Sequence, residues 1–467
     1  MYQIKFGTDG WREIIGDNYT TANVRRVASA TAQWLKSANL DNSCVIGYDC
    51  RFGGEMFAKE TAVTFASMGI VVHLSNGFVS TPMISLGVSR KQLGLGIIIT
   101  ASHNPPSYNG FKIKANYGGP ATPDVINEIE ALITNTEIPS QNSFDEYIES
   151  GVIQYIDLEK MYIDHCKEHF NIEALEKISN QLAYDSMYGA GQNVIRELLP
   201  KSTLLHCEFN PGFNGRAPEP ILKNLPEISE MIKSSEKLKI GLATDGDADR
   251  IGFFDEFGNF VDSHHIILLL IEYLTDYKKL SGSVVKSFSV SDKVDLLCEQ
   301  KGIKSITTKI GFKYICEYMI NEDVLIGAEE SGGIAIKGHI PERDGIWMGL
   351  VLMEYASLAK KTISELIQDV YAKVGSFAVE RYDLHVTNEI KNAIINSCKN
   401  REYSSFGPYN ITSVEDLDGF KFRLSNGNWV MIRPSGTEPV LRVYAEAENS
   451  QLAYDVLNFT KKIILNE

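Results

Sequence analysis

Apolar and polar positions alternate along the chain in two rhythms. Over residues 20–38, Val24, Val27, Ala28, Thr31 and Leu35 recur at helical spacing, with Thr20 or Thr21 available as a cap. Val45 to Tyr48 is a short apolar run that predicts a strand. A second helical pattern starts at Glu55 and stops at Gly69, and Ile70 to Leu74 and Leu95 to Thr100 predict further strands. Strands separated by helices imply βαβ units and a mainly parallel sheet.

The rhythm returns at Ile240 to Thr244 and at Val324 to Ala328. Three apolar runs therefore open directly into polar loops: Ala101-Ser102-His103-Asn104-Pro105, Asp245-Gly246-Asp247-Ala248-Asp249-Arg250, and Glu329-Glu330-Ser331-Gly332-Gly333. In open α/β sheets, ligands bind beyond the carboxyl ends of strands. Three α/β units, each presenting one loop, suggest similar domains around a shared cleft. The C-terminal part differs. Phe420 to Leu424 and Trp429 to Ile432 flank Ser425-Asn426-Gly427-Asn428, a hairpin signal, followed by a strand at Val440 to Ala445 and a closing helix over 450–462. That pattern predicts a smaller α+β domain. Linkers are expected near Pro139 to Asp145 and at Gly375, and Glu256 to Asp262, turning at Gly258, is a candidate join between the second and third units.

Composition narrows the class. The 467 residues are too many for one ordinary core and suggest roughly three or four domains. No apolar run approaches the ~20 residues of a membrane helix, and Ile266 to Ile271 fits a buried helix. The N-terminus lacks the basic-then-apolar pattern of a signal peptide. Seven cysteines stand singly with no CxxC pair, which predicts reduced thiols and a cytoplasmic setting. A net charge of −15 repels nucleic acid and anionic membranes. It would also repel a phosphorylated ligand, unless arginines and lysines cluster at one place.

The loops supply candidate chemistry. Ser102 lies just past a strand end. Serine is a weak nucleophile that needs a base or a nearby cation. His103 follows it and Lys112 comes ten residues later; the blander reading is a polar turn that caps the next helix. Asp245, Asp247 and Asp249 are spaced two apart, so in an extended segment their side chains point one way. Converging carboxylates need a cation, and oxygen donors suit magnesium. A solvated acidic turn is the plainer alternative. A calcium loop is another, since Asp245, Asp247, Asp249 and Glu256 fall at EF-hand positions 1, 3, 5 and 12, although position 6 is Arg250 where that loop needs glycine. Arg433-Pro434-Ser435-Gly436-Thr437-Glu438-Pro439 is a tight turn with Arg433 before it and Arg442 after it, suited to an anion or else a solvent-facing hairpin. Glu329, Glu330 and Ser331 offer acceptors for sugar hydroxyls. Arg12 follows the turn Phe6-Gly7-Thr8-Asp9-Gly10-Trp11.

Taken together and in this order, these motifs resemble the α-D-phosphohexomutase family, from Phe6 to Arg442. The resemblance implies three similar α/β domains with mixed, mainly parallel sheets plus a C-terminal α+β domain around a central cleft. The expected segments are 1–145 with the phosphoserine loop, 146–255 with the metal loop, 256–372 with the sugar loop and 373–467 with the phosphate loop. It implies that Ser102 carries the phosphoryl group, with His103, Lys112 and Arg12 as its catalytic company. Asp245, Asp247 and Asp249, joined by the phosphoserine, would hold one magnesium ion per chain. Arg250, Lys313, Glu329, Ser331, Arg433, Ser435, Gly436, Thr437 and Arg442 would bind substrate.

The implied activity is interconversion of hexose 1-phosphate and hexose 6-phosphate, glucose first and mannose second, through a hexose 1,6-bisphosphate. The implied partners are small sugar phosphates, with no nucleic acid and no membrane, in a monomer or homodimer. Phosphomannomutase and phosphoglucosamine mutase are alternatives within the family. A magnesium-dependent phosphatase, a sugar-bisphosphate synthase and a non-catalytic sugar-phosphate sensor are rivals outside that activity. One departure stands out: many members carry a histidine where this chain has Gly333. Lys112 then becomes the better acid/base candidate, and His339 could substitute only if its loop folds back.

Overall fold

A computed structural model describes residues 2–135, 142–434 and 440–466. The chain forms two compact units, one of Met1–Val285 with Gly311–Leu366, the other of Lys286–Ile310 with Ile367–Glu467.

The first unit begins with a six-stranded sheet. Its spatial order is Trp11–Ile14, Tyr108–Ala115, Leu95–Ile99, Ser43–Tyr48, Val71–Ser75 and Ile153–Ile156. The last three pairings are parallel and the first two antiparallel, so the sheet is mixed. The helix Thr21–Ser37 forms where its apolar positions repeat, and the Thr20 hydroxyl accepts from the N–H of Asn23. Leu95–Ile99 is buried throughout because helices and neighbouring strands cover it.

A second sheet runs Phe260–Val261, Ile251–Phe254, Ile240–Thr244, Leu182–Asp185, Thr203–Leu205. The candidate join at Glu256 to Asp262 turns at Gly258, with φ +71°. The Asp255 N–H donates to the Asn259 carbonyl at 3.0 Å, and Phe260–Val261 pairs with Phe253 and Phe254, so the stretch closes a hairpin within this sheet. Farther along, Val324–Ala328 pairs antiparallel with Ile334–Ile336. Ser263–Glu272 and Gly345–Ala359 are helices buried on nearly all sides, which is why their sequences lack an amphipathic period.

The second unit carries an antiparallel sheet in the order Ala378–His385, Val440–Ala447, Trp429–Pro434, Phe420–Leu424, Tyr409–Glu415, Ser405–Phe406. The helix Ser450–Leu465 packs Val456 and Leu457 onto Phe422, Ile432 and Val443. The hairpin at Ser425 to Asn428 forms as expected, with Gly427 at φ +84°.

The expected linker at Pro139 to Asp145 lies partly outside the described residues, and its far end opens a helix at Phe144 under a Ser143–Glu146 capping box. No described helix is long and apolar enough to cross a membrane. All seven cysteines are free and buried.

Candidate active site

The loop after Leu95–Ile99 does not cap a helix. It turns back into the strand Tyr108–Ala115, with Ile98 opposite Lys112. Ser102 sits in that turn at φ +54°, an uncommon backbone state for a serine, and is only 1% exposed. The loop is pegged from below by Arg51, which donates to the carbonyls of Ser102 (2.6 Å), Asn104 (2.7 Å), Pro105 (2.9 Å) and Tyr108 (3.1 Å). Asp49 neutralises that guanidinium at 3.2 Å. Asp49 also accepts from Thr100 Oγ1, whose oxygen in turn receives the Ser102 N–H.

The aspartates lie across from the serine. Ser102 Oγ donates to Asp245 Oδ2 at 2.8 Å, although 143 residues separate them. Gly246 allows this approach, since a Cβ there would stand 2.4 Å from the Ser102 carbonyl oxygen. Asp245, Asp247 and Asp249 are fully buried, and one oxygen from each lies within 4.8 Å of the others. They converge through a turn rather than an extended run: Ala248 adopts φ +55° and its N–H donates to the Asp245 carbonyl at 3.0 Å. Asp247 Oδ1 and Asp249 Oδ1 are buried without a hydrogen-bond partner. Such orphaned anionic oxygens are costly unless a cation completes them, and an all-oxygen set fits magnesium. Burial, then Asp249 and Asp247, pushes the Asp245 carboxyl well above its ordinary range.

The EF-hand reading fails. Its loop would lie between helices, whereas Ile240–Thr244 and Ile251–Phe254 are paired strands and Glu256 accepts from Ser364.

Cations surround the trio. Lys112 Nζ donates to Asp247 at 2.7 Å and Asp249 at 3.1 Å, and pairs with Asp9 at 2.8 Å. Burial alone would favour the neutral amine, but these three carboxylates outweigh it and hold the ammonium charged well beyond its ordinary range. Arg12 donates to Asn104 at 2.8 Å and to the Asp9 carbonyl at 3.3 Å. His103 Nδ1 lies 3.3 Å from Ser102 Oγ. Burial, and then the charges of Arg250, Arg12, Lys112 and Arg51, keep this imidazole neutral.

The third loop docks on the second. Arg250 and Gly333 form a bridge, and the Ile251 N–H donates to the Gly332 carbonyl at 3.1 Å. Glu329 accepts from the Gly311 N–H at 2.9 Å, and burial raises its carboxyl to about 7 against the pull of Arg343. Ser331 is half-buried in the same loop. The Arg250 guanidinium lies 3.8 Å from Glu219. Lys313 is half-buried on the helix Phe312–Asn321, its ammonium over the Tyr314 ring at 5.4 Å.

His339 does not fold back toward Gly333. Its Nε2 bonds Asp344 at 2.8 Å and its ring stacks on Trp347. The room beside Gly333 is filled by Arg343, whose Cδ would lie 2.5 Å from an added Cβ. Arg343 donates to Asp249 at 2.6 Å and to Asp9 at 2.5 Å, and lies 3.7 Å from Glu329.

Arg343, Asp9, Arg51 and Thr81, whose hydroxyl donates to Asp247, were not foreseen. Asp9 stands inside a motif that drew attention to Arg12, and it was legible there as a second charge in a Gly-rich turn. Arg343 belongs to the charged run Glu342-Arg343-Asp344, which reads as a surface turn. In the second unit, Arg433 and Arg442 are opposed on adjacent strands. Arg433 Nε bonds Asp418 at 3.2 Å, and Arg442 Nε lies 3.8 Å from Asp383. Ser435, Gly436 and Thr437 lie outside the described residues.

Comparison with known proteins agrees with this layout. Models of the phosphoglucomutase/phosphomannomutase α/β/α domains I, II and III match residues 3–139, 160–258 and 262–374, and the C-terminal domain model matches 386–460. A phosphoglucomutase/phosphomannomutase of Thermococcus kodakarensis is 28% identical over 98% of both chains. A phosphoglucosamine mutase of Methanococcus vannielii is 30% identical over 97% of both. A crystal structure from Thermus Thermophilus, provisionally described as a phosphomannomutase, superposes with a TM-score of 0.87 at 32% identity and 99% coverage of each chain.

Fold and relatives together define an intramolecular phosphotransferase, an isomerase with three α/β/α domains of mixed sheets and a β-rich C-terminal domain. The chain belongs to the phosphoglucomutase/phosphomannomutase family.

Proposed function

We propose that the chain interconverts hexose 1-phosphate and hexose 6-phosphate, glucose first and mannose second, through phosphorylated Ser102 and a hexose 1,6-bisphosphate. The observation that carries this reading is the 2.8 Å bond between Ser102 Oγ and Asp245, beside two orphaned carboxylate oxygens. Asp245, Asp247 and Asp249 would hold one magnesium ion, which when bound offsets charge on the phosphoryl and serine oxygens.

In the first half-reaction the phosphorus–Oγ bond of phospho-Ser102 breaks, a bond to the free sugar hydroxyl oxygen forms, and the hydroxyl proton ends on Ser102 Oγ. The second half-reaction reverses these bonds at the other phosphate, and the proton returns to the departing sugar oxygen. His103 Nδ1, neutral and 3.3 Å from Oγ, is placed to carry that proton. Lys112 and Arg12 order the carboxylates around the reacting oxygens. Glu329, Ser331, Arg250 and Lys313 hold the sugar, and Arg433 and Arg442, with Ser435, Gly436 and Thr437 between them in sequence, bind the phosphate not being transferred. Seven free buried cysteines support a cytoplasmic setting.

Ser102→Ala should abolish isomerisation of glucose 1-phosphate in the presence of magnesium and a trace of the bisphosphate. Full activity in that variant ends the proposal, and free phosphate released without isomerisation favours a phosphatase. Run in parallel, glucosamine 1-phosphate tests the reading that relatives named phosphoglucosamine mutase favour. Arg433→Ala should chiefly raise KM.

A further inference from the structure

A second constellation of titratable side chains lies outside the reacting centre. The helix Leu158–His169 carries His165, Glu168 and His169, which at spacings of three and four share one face. One donor atom from each lies within 4.8 Å of the others.

The hydrogen bonds around them fix both imidazole tautomers. An arginine can only donate, so Arg90 Nη2, 2.6 Å from His165 Nδ1, requires a lone pair on that nitrogen. The proton of His165 is therefore on Nε2, which donates to His339 Nδ1 at 3.2 Å. His339 in turn donates from Nε2 to Asp344 at 2.8 Å. A carbonyl can only accept, so His169 Nδ1, 2.8 Å from the His165 carbonyl oxygen, carries a proton and Nε2 keeps the lone pair.

Each ring thus presents one lone pair and donates its other N–H to a fixed acceptor. That is the arrangement of a metal-bound histidine and its supporting shell. The position between the donors already holds positive charge. The same Arg90 nitrogen lies 2.5 Å from Glu168. The Arg90 and Glu168 side chains are 45% and 55% exposed, so both are free to rearrange.

We propose that His165 Nδ1, Glu168 and His169 Nε2 bind a divalent zinc-class metal ion, with Arg90 swinging out and water taking the fourth position. Two imidazoles and one carboxylate favour zinc or cobalt over magnesium, which prefers oxygen. Bound there, the ion closes the last turn of the helix Leu158–His169 and, through His165 Nε2 and His339, ties it to the capping residue Asp344 of the helix Gly345–Ala359. Asp344 also accepts from Tyr162 at 2.8 Å. The residue before it is Arg343 of the active-site cluster. Occupancy therefore stiffens the frame behind that cluster.

The test titrates cobalt(II) into the full chain with saturating magnesium, which occupies the oxygen-only aspartate trio, and reads the visible absorption of tetrahedral cobalt. One equivalent should bind, zinc should displace it, and the melting temperature should rise with zinc. Glu168→Gln or His169→Ala should weaken binding by about tenfold or more. Arg90→Ala, which removes the competing cation, should tighten it. All three positions lie away from the reacting centre, so mutase activity reports that each variant is folded. Absence of a saturable tetrahedral spectrum, equal affinity in His169→Ala, or weaker binding in Arg90→Ala overturns the proposal.

Discussion

Two buried lysines, one in each unit, show how differently the same burial can act. Lys112 is fully buried and Lys421 is 2% exposed. Around Lys112 stand Asp9, Asp247 and Asp249, all within 3.1 Å. Around Lys421 stand rings: Trp429 at 4.4 Å and Phe288 at 4.8 Å from Nζ to the centroids, with Asp292 at 3.5 Å. The first ammonium is held charged. In the second, burial and the like charge of Lys286 outweigh Glu446, Glu415 and Asp295, and the amine falls to about 7. Burial penalises both charges; the partners decide the outcome. A carboxylate nest makes Lys112 part of a charged site, whereas an aromatic cage leaves Lys421 close to neutrality in a structural core.

The largest effect that would sharpen this contrast is expected at Lys112. Lys112→Met leaves three buried carboxylates short of a cation, and should cost about 3–5 kcal/mol in urea unfolding at neutral pH without added metal. Magnesium should recover part of that loss, and an unchanged midpoint would break the comparison. Lys421→Met should behave in the opposite sense. The ordinary lysine value of 10.5 falls to about 7 in the fold, so the unfolded chain binds the extra proton between those limits. Wild-type stability should therefore rise from pH 7 to pH 10.5 by on the order of 5 kcal/mol. The methionine variant should lack that slope and should be the more stable chain at neutral pH. The smallest effect belongs to Gly333→Ala. The new methyl meets Arg343 Cδ, displaces the guanidinium from Asp249 and Asp9, and should cost about 1–3 kcal/mol while lowering kcat. Normal activity in that variant would show that Arg343 does not order the aspartates.

Much of the fold was legible because strand and helix periods are local. Ile240–Thr244, Val324–Ala328 and Phe420–Leu424 begin and end where alternation and turn residues place them. The loops at their ends stood out because each puts charge directly after an apolar run. The strand Tyr108–Ala115 was harder to see. Lys112 stood out as a candidate, but nothing local shows that Lys112 and Lys114 are both fully buried against acidic partners supplied from elsewhere. The strand Phe260–Val261 inside the Glu256 to Asp262 join was not legible, because two residues are too short to show a period.

The sequence by itself determined where charged loops follow apolar runs, the order in which they occur, and the family to which the chain belongs. It determined them because motif spacing and apolar periodicity depend only on near neighbours in the chain. The tertiary structure decided which charges face one another. Arg343 reaches Asp9 across 334 positions, Ser102 reaches Asp245 across 143, and Arg51 gathers four carbonyls of a loop some 50 positions away. A charge can stay buried only where packing delivers its partner, and no local pattern records where that partner will come from.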